Sequence, residues 1–100
     1  MNKLEKDTER LLVRRVEQAG GQCLKWVCPG RSGVPDRIVL LPGGRIAFVE
    51  LKRPKGGRVS ELQKYWANKL EAAGFKCYLI KDGDDVRKFM EGMNEKLYSL

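Results

Sequence analysis

Between Gly33 and Lys52 the chain reads Gly-Val-Pro-Asp-Arg-Ile-Val-Leu-Leu-Pro-Gly-Gly-Arg-Ile-Ala-Phe-Val-Glu-Leu-Lys. Two apolar runs, Arg37 to Leu41 and Arg45 to Lys52, flank a Pro42-Gly43-Gly44 turn, which is the pattern of a hairpin. Both faces of that hairpin are apolar, so the chain must cover it from two sides. Register decides what its open end holds. With a three-residue turn, Leu41 opposes Arg45, Ile38 opposes Phe48 and Asp36 opposes Glu50. Directly opposed residues have Cβ atoms roughly 4.5–5.5 Å apart. A two-residue turn would instead set Asp36 against Leu51. Lys52 follows Glu50 by two positions and points to the same face. Pro35 forces an extended entry before Asp36.

The flanking segments supply the cover. Lys3 to Ala19 spaces Leu12, Val16 and Ala19, with Val13 beside them, at helical intervals, and Gly20-Gly21 ends the helix. Glu5 and Glu9 continue its apolar stripe, whereas Glu17 lies towards the polar side. An acid on a core-facing stripe calls for a partner. The plainer alternative is that both glutamates complement the positive end of the helix dipole. Gln22 to Cys28 reads as a strand, followed by a Pro29–Gly33 loop. Arg53 to Val59 is a basic, glycine-rich loop. Ser60-x-x-Gln63 is a capping box that starts a helix with Leu62, Trp66, Leu70 and Ala73 as its buried residues, stopping at Gly74. Phe75 to Ile80 forms a fourth strand. A last helix from about Asp84 carries Val86, Phe89, Met90, Met93 and Leu97. The order αβββαβα predicts an α/β (α+β) sandwich of mixed sheet and helices, one domain over residues 1–100.

The net charge of +7 and pI near 9.5 favour a polyanionic partner such as nucleic acid or an anionic membrane. No segment reaches the roughly 18 apolar residues of a membrane span, and the charged N-terminus has no signal-peptide core. We therefore expect no membrane partner and no secretion. Cys23, Cys28 and Cys77 lie in apolar runs and read as buried thiols of a cytosolic protein. With no histidine and no close cysteine pair, a zinc site does not fit. Acid–base chemistry is left to carboxylates, lysine or a bound metal.

Two opposed carboxylates repel unless a cation lies between them. Mg²⁺ or Mn²⁺ suits the set, because hard cations take carboxylate, carbonyl, water and phosphate oxygens. The Leu51 carbonyl, between Glu50 and Lys52, is available as a further ligand. Such an ion activates a phosphodiester and a water, and Lys52 could stabilise the developing charge. Asp-x₁₃-Glu-x-Lys alone is degenerate, and an exposed salt bridge at a hairpin's end is its ordinary reading.

Gly33-Val34-Pro35-Asp36 with Glu50-Leu51-Lys52 resembles the PD-(D/E)XK nuclease signature. The fuller set resembles its VRR-NUC branch: Lys25-Trp26, the Pro-Gly loop, Pro42-Gly43-Gly44-Arg45, Val49-Glu50-Leu51-Lys52 and Ser60-x-x-Gln63. The likeness covers about residues 5 to 85. It implies a restriction-endonuclease-like αβββαβ core, here with an added C-terminal helix. It also implies that Asp36 and Glu50 bind the metal, Lys52 is catalytic, and Gln63 lies near the site besides serving the capping box. A first-helix glutamate usually completes such sites. By distance to Gly20-Gly21, Glu9 matches that position better than Glu17.

Arg31, Arg37, Arg53, Lys55 and Arg58 surround this hairpin end and are expected to contact phosphates, which positions nucleic acid without reading sequence. The resemblance implies an endonuclease acting on branched DNA such as four-way junctions, a homodimer, and a place in the cytoplasm of a bacterial or phage-infected cell. The alternatives are a non-cleaving nucleic-acid-binding module of the same fold, or a nuclease for flaps or single strands.

Overall fold

A computed structural model of the protein describes residues 3–98, with side chains described for residues 4–93. Its elements are α1 (Lys3–Gln18), β1 (Gln22–Lys25), β2 (Arg37–Leu41), β3 (Arg45–Leu51), α2 (Glu61–Ala72), β4 (Lys76–Ile80) and α3 (Gly83–Tyr98). The strands form one sheet in the order β1-β2-β3-β4. The first three are antiparallel, and β4 joins β3 in parallel after the α2 crossover. A parallel neighbour requires such a crossover. This is the mixed sheet flanked by helices that the order of elements predicts.

The three-residue turn is the one formed: Leu41 pairs with Arg45, and Ile38 with Phe48. Gly43 and Gly44 take φ of 88° and 74°, a region that non-glycine residues rarely enter. β1 is shorter than expected. Its last ladder bond runs from the Trp26 N–H to the Asp36 carbonyl at 3.0 Å. Beyond it the facing residue is Pro35, which has no N–H to donate.

Odd-numbered residues of the hairpin face α1 and α3. Val39, Leu41, Ala47, Val49 and Leu51 form the core there with Leu12, Val16, Ile80, Val86, Phe89, Met90 and Met93. Complete burial of each Leu or Val contributes about 1.5–3 kcal/mol, so this layer supplies most of the stability. The α3 stripe is as expected through Met93, while the Leu97 side chain lies outside the described residues. α1 closes in a Schellman motif: Gly21 N–H donates to the Val16 carbonyl and Gly20 N–H to the Glu17 carbonyl, each at 2.9 Å. Ala19 thus caps the helix and is exposed, not part of the stripe.

The opposite face departs from expectation. α2 crosses it over β4, yet none of its residues is fully buried. Leu62 is 43% exposed, Trp66 and Leu70 are half-buried, and Ala73 is exposed as the C-cap. One helix cannot span four strands, so Leu24, Leu40, Ile46 and Phe75 keep roughly two-fifths of their surface in solvent. Trp26 and Phe48 stack at 5.1 Å between centroids, and Phe75 meets Phe48 edge-on at 5.5 Å.

Candidate active site

Asp36 immediately precedes β2, and Glu50 is the penultimate residue of β3. Continuation of the observed register past Arg37 and Val49 places them opposite one another on the α2 side of the sheet. Asp36 is anchored from below: its Oδ2 accepts the Leu51 N–H at 2.8 Å. Because a strand residue directs its N–H and C=O to the same neighbour, the Leu51 carbonyl also turns towards Asp36. Lys52 is held at the strand's end by its own N–H, which donates to the Ile80 carbonyl of β4 at 3.1 Å.

Electrostatics at this point are lopsided. Burial first, then the hydrogen bond and charge of Asp36, push the Glu50 carboxyl up to about 9. Glu5 adds in the same direction and Lys52 opposes. Without a cation the Glu50 carboxyl therefore keeps its proton at neutral pH. Glu50 also lines a small cavity of about 130 Å³ with Pro35, Gln63, Ala67 and Leu79 among its walls. Gln63 reaches this cavity from the first turn of α2. Its backbone N–H donates to Ser60 Oγ at 3.1 Å, and its Oε1 accepts the Ser60 N–H at 2.8 Å. The expected capping box is thus formed and presents Gln63 to Glu50's cavity.

The first-helix glutamates divide differently from expectation. Glu9 is bound by Arg37: Nε to Oε2 is 2.9 Å, with side chains only 12% and 13% exposed. Arg37 Nη1 also donates to the Cys23 carbonyl at 3.0 Å. Glu9 therefore spends its charge as a tie between α1 and the sheet, although it lies beside Asp36 along a shared groove. Glu5, one turn earlier, adds only the smallest of the effects on Glu50. Arg37's engagement likewise removes it as a free phosphate contact. Its parity on β2 carried the signal: next to Ile38, it must face α1, away from Asp36.

Arg31 stacks over the Trp66 ring at 5.6 Å, and Arg53, Lys55 and Arg58 are exposed on the following loop. Cys23, Cys28 and Cys77 are all free, and burial pushes the Cys23 and Cys77 thiols up to about 11. Cys23 and Cys77 are therefore inert at neutral pH. Among the described residues no group of three or more His, Cys, Asp or Glu side chains is arranged to hold a metal. The two facing carboxylates, with the Leu51 carbonyl turned to the Asp36 side, fit a hard divalent cation that completes its shell with water and phosphate oxygen. They do not fit a closed structural site.

The model of the VRR-NUC domain matches residues 2–81. The chain belongs to the VRR-NUC family. A solved VRR-NUC domain superposes with a TM-score of 0.84 at 29% identity, covering 90% of this chain and 97% of that one. A protein of Acyrthosiphon pisum secondary endosymbiont phage 1, named "Putative nuclease p44", is 39% identical over 90 residues, or 90% of this chain and 95% of its own. The VRR-NUC membership identifies a nuclease domain. No helix among the described residues is long and apolar enough to cross a membrane.

Proposed function

We propose that the chain is a divalent-metal-dependent endonuclease that hydrolyses DNA phosphodiesters at the open end of the β2–β3 hairpin. The observation that carries this reading is the apposition of Asp36 and Glu50, with Glu50 pushed up to about 9. A pair that cannot ionise fully by itself is suited to a cation. Asp36, Glu50 and the Leu51 carbonyl would hold Mg²⁺ or Mn²⁺, which supplies Lewis acidity and offsets phosphate charge. Lys52 orients the attacking water and stabilises the charge that builds on the phosphate. Water's oxygen bonds to phosphorus and gives up a proton to solvent, the P–O bond to the leaving strand breaks, and the leaving oxygen takes a proton from solvent to become a hydroxyl. Gln63 lines the cavity beside Glu50, and Glu9, which lines a groove with Asp36, is the first-helix acid assigned to the site. Arg31, Arg53, Lys55 and Arg58 contact flanking phosphates without reading bases.

The proposed substrate is branched DNA, cut by a homodimer, because two symmetric nicks need two sites and each chain carries one. The apolar end of the sheet supports the dimer. Leu40 and Ile46 face each other across the hairpin, about 13 Å along β3 from Glu50 at 3.3 Å per residue. With Leu24 and Phe75 they give a second copy an apolar contact clear of the site.

The test compares junction, flap, duplex and single-stranded DNA with Mg²⁺ or Mn²⁺, using the parent and Glu50→Ala. Parent-only cleavage with the junction preferred, and binding retained in Glu50→Ala, is the expected result. An active Glu50→Ala would refute the site, and a parent that binds without cutting would establish the non-cleaving module. Light scattering should show a dimer that Ile46→Asp splits; a monomeric parent would sink the dimer.

A further inference from the structure

A second charged surface lies on the other side of the hairpin, along α1. Lys6, Glu9, Arg10, Val13, Arg14, Glu17, Lys25 and Arg37 line an open groove of about 450 Å³ between α1 and the sheet edge at β1. Five cations thus stand against two carboxylates. Lys6, Arg10 and Arg14 are spaced four residues apart, so successive turns of α1 each present one, about 6 Å along the axis. The groove does not end blindly. Glu9 and Lys25 also line its neighbour, which runs past Trp26, Val34 and Pro35 to Asp36.

The charges in this groove are unspent. Among the described residues Lys6, Arg10, Arg14 and Lys25 make no ion pair, while Lys64, Arg87 and Lys88 on the other helices are all paired with neighbouring acids. Glu9, which would repel an anion from the groove floor, is neutralised by Arg37 at 2.9 Å. Four free cations against one unpaired carboxylate, Glu17, in a groove that leads to Asp36, suit a polyanion that passes through the site and continues beyond it.

We infer that the α1–β1 groove is a track for a sugar–phosphate backbone, holding DNA that extends past the scissile phosphate through Lys6, Arg10, Arg14 and Lys25. It rests on the nuclease reading above. The track contacts phosphates alone, so it adds affinity and length dependence and no sequence preference. The loop residues Arg31, Arg53, Lys55 and Arg58 are separate from it.

The experiment uses the full chain carrying Arg10→Gln and Arg14→Gln, with a fluorescent four-way junction whose arms are either a long or a short DNA duplex. Binding is measured against salt without divalent metal, and cleavage with Mn²⁺. The slope of log K against log salt on the long-armed junction should fall by about 1.8, or 0.9 for each phosphate contact removed. KM should rise on the long-armed junction, with kcat unchanged and the short-armed junction unaffected. Lys88→Gln, on α3, should leave the slope unaltered. An unchanged slope and KM in a folded, active double variant would overturn the track while leaving the nuclease reading intact. A parent that never cleaves would overturn that reading, with the salt slope still deciding the track. Circular dichroism confirms that the variant is folded, and Arg10→Lys with Arg14→Lys should restore the parental slope.

Discussion

Arg37 Nε lies 2.9 Å from Glu9 Oε2, joining α1 to β2 behind the candidate active site, with both side chains largely buried. Breaking one half of such a pair strands the other charge away from water. Arg37→Ala should therefore destabilise the protein by about 3 kcal/mol, which urea unfolding would register as a lower midpoint with an unchanged slope. Removing both partners should cost less than the sum of the single changes. Strict additivity of Arg37→Ala and Glu9→Ala would show that the pair contributes nothing.

Glu50 gives stability an inverted dependence on pH. A carboxyl raised to about 9 from an ordinary 4.5 holds its proton more tightly when folded. Its contribution is complete below about 4.5 and is lost as pH rises through about 9. In the absence of metal, Glu50→Gln should be more stable than the parent at pH 8 and no more stable near pH 4. Screening at this partly exposed site holds the difference to about 2 kcal/mol. Thermal melts of the two proteins across this range, with and without Mg²⁺, measure it; parallel profiles would contradict a proton held on Glu50.

Lys52 is expected to act in the reaction and not in the fold. Its backbone N–H, not its ammonium, bonds to β4. Lys52→Ala should keep the melting temperature and DNA affinity while lowering kcat on the order of 10²–10³-fold, the usual effect of losing one preorganised charge-stabilising group. A proportionate loss in DNA affinity would instead assign Lys52 to binding.

Gly33 should tolerate no side chain. Its φ is +88°, and a Cβ there would lie 2.6 Å from Leu62 Cγ and 3.0 Å from the Leu62 backbone. Gly30, at φ +79°, has nothing within 4 Å of such a Cβ. Gly30→Ala should thus cost about 1–2 kcal/mol of backbone strain, and Gly33→Ala about 1–3 kcal/mol more for the overpacking. Urea denaturation of both variants makes the comparison, and equal costs would mean that α2 moves aside freely.

How far the chain could be read in advance differed with the range of the interaction. Asp36 opposite Glu50 followed from a turn length and the two-residue period of strands, both local. Choosing among Glu5, Glu9 and Glu17 needed the height at which α1 crosses the sheet, which no periodicity contains. Counting back from Gly20-Gly21 favoured Glu9, but Arg37, facing α1 by its parity, captures that side chain. α2 shows a related limit. The spacing of Leu62, Trp66 and Leu70 marks an apolar stripe, but not how much surface lies opposite to bury it. Leu40 and Ile46 lie on a hairpin face whose apolar pattern calls for cover, yet with Leu24 and Phe75 they remain about two-fifths in water.

The shallow seating of α2 gives the two sides of the site unequal permanence. β2 and β3 can release their amides only when the whole core opens, whereas a helix with no fully buried residue can detach at a fraction of that free energy. Amide hydrogens along α2 should exchange well before those of Val39 and Val49. Glu50 and Asp36 sit on the slow side and Gln63 on the fast one. The carboxylates thus stand on the part of the fold that opens last, and Gln63 on the part expected to exchange first.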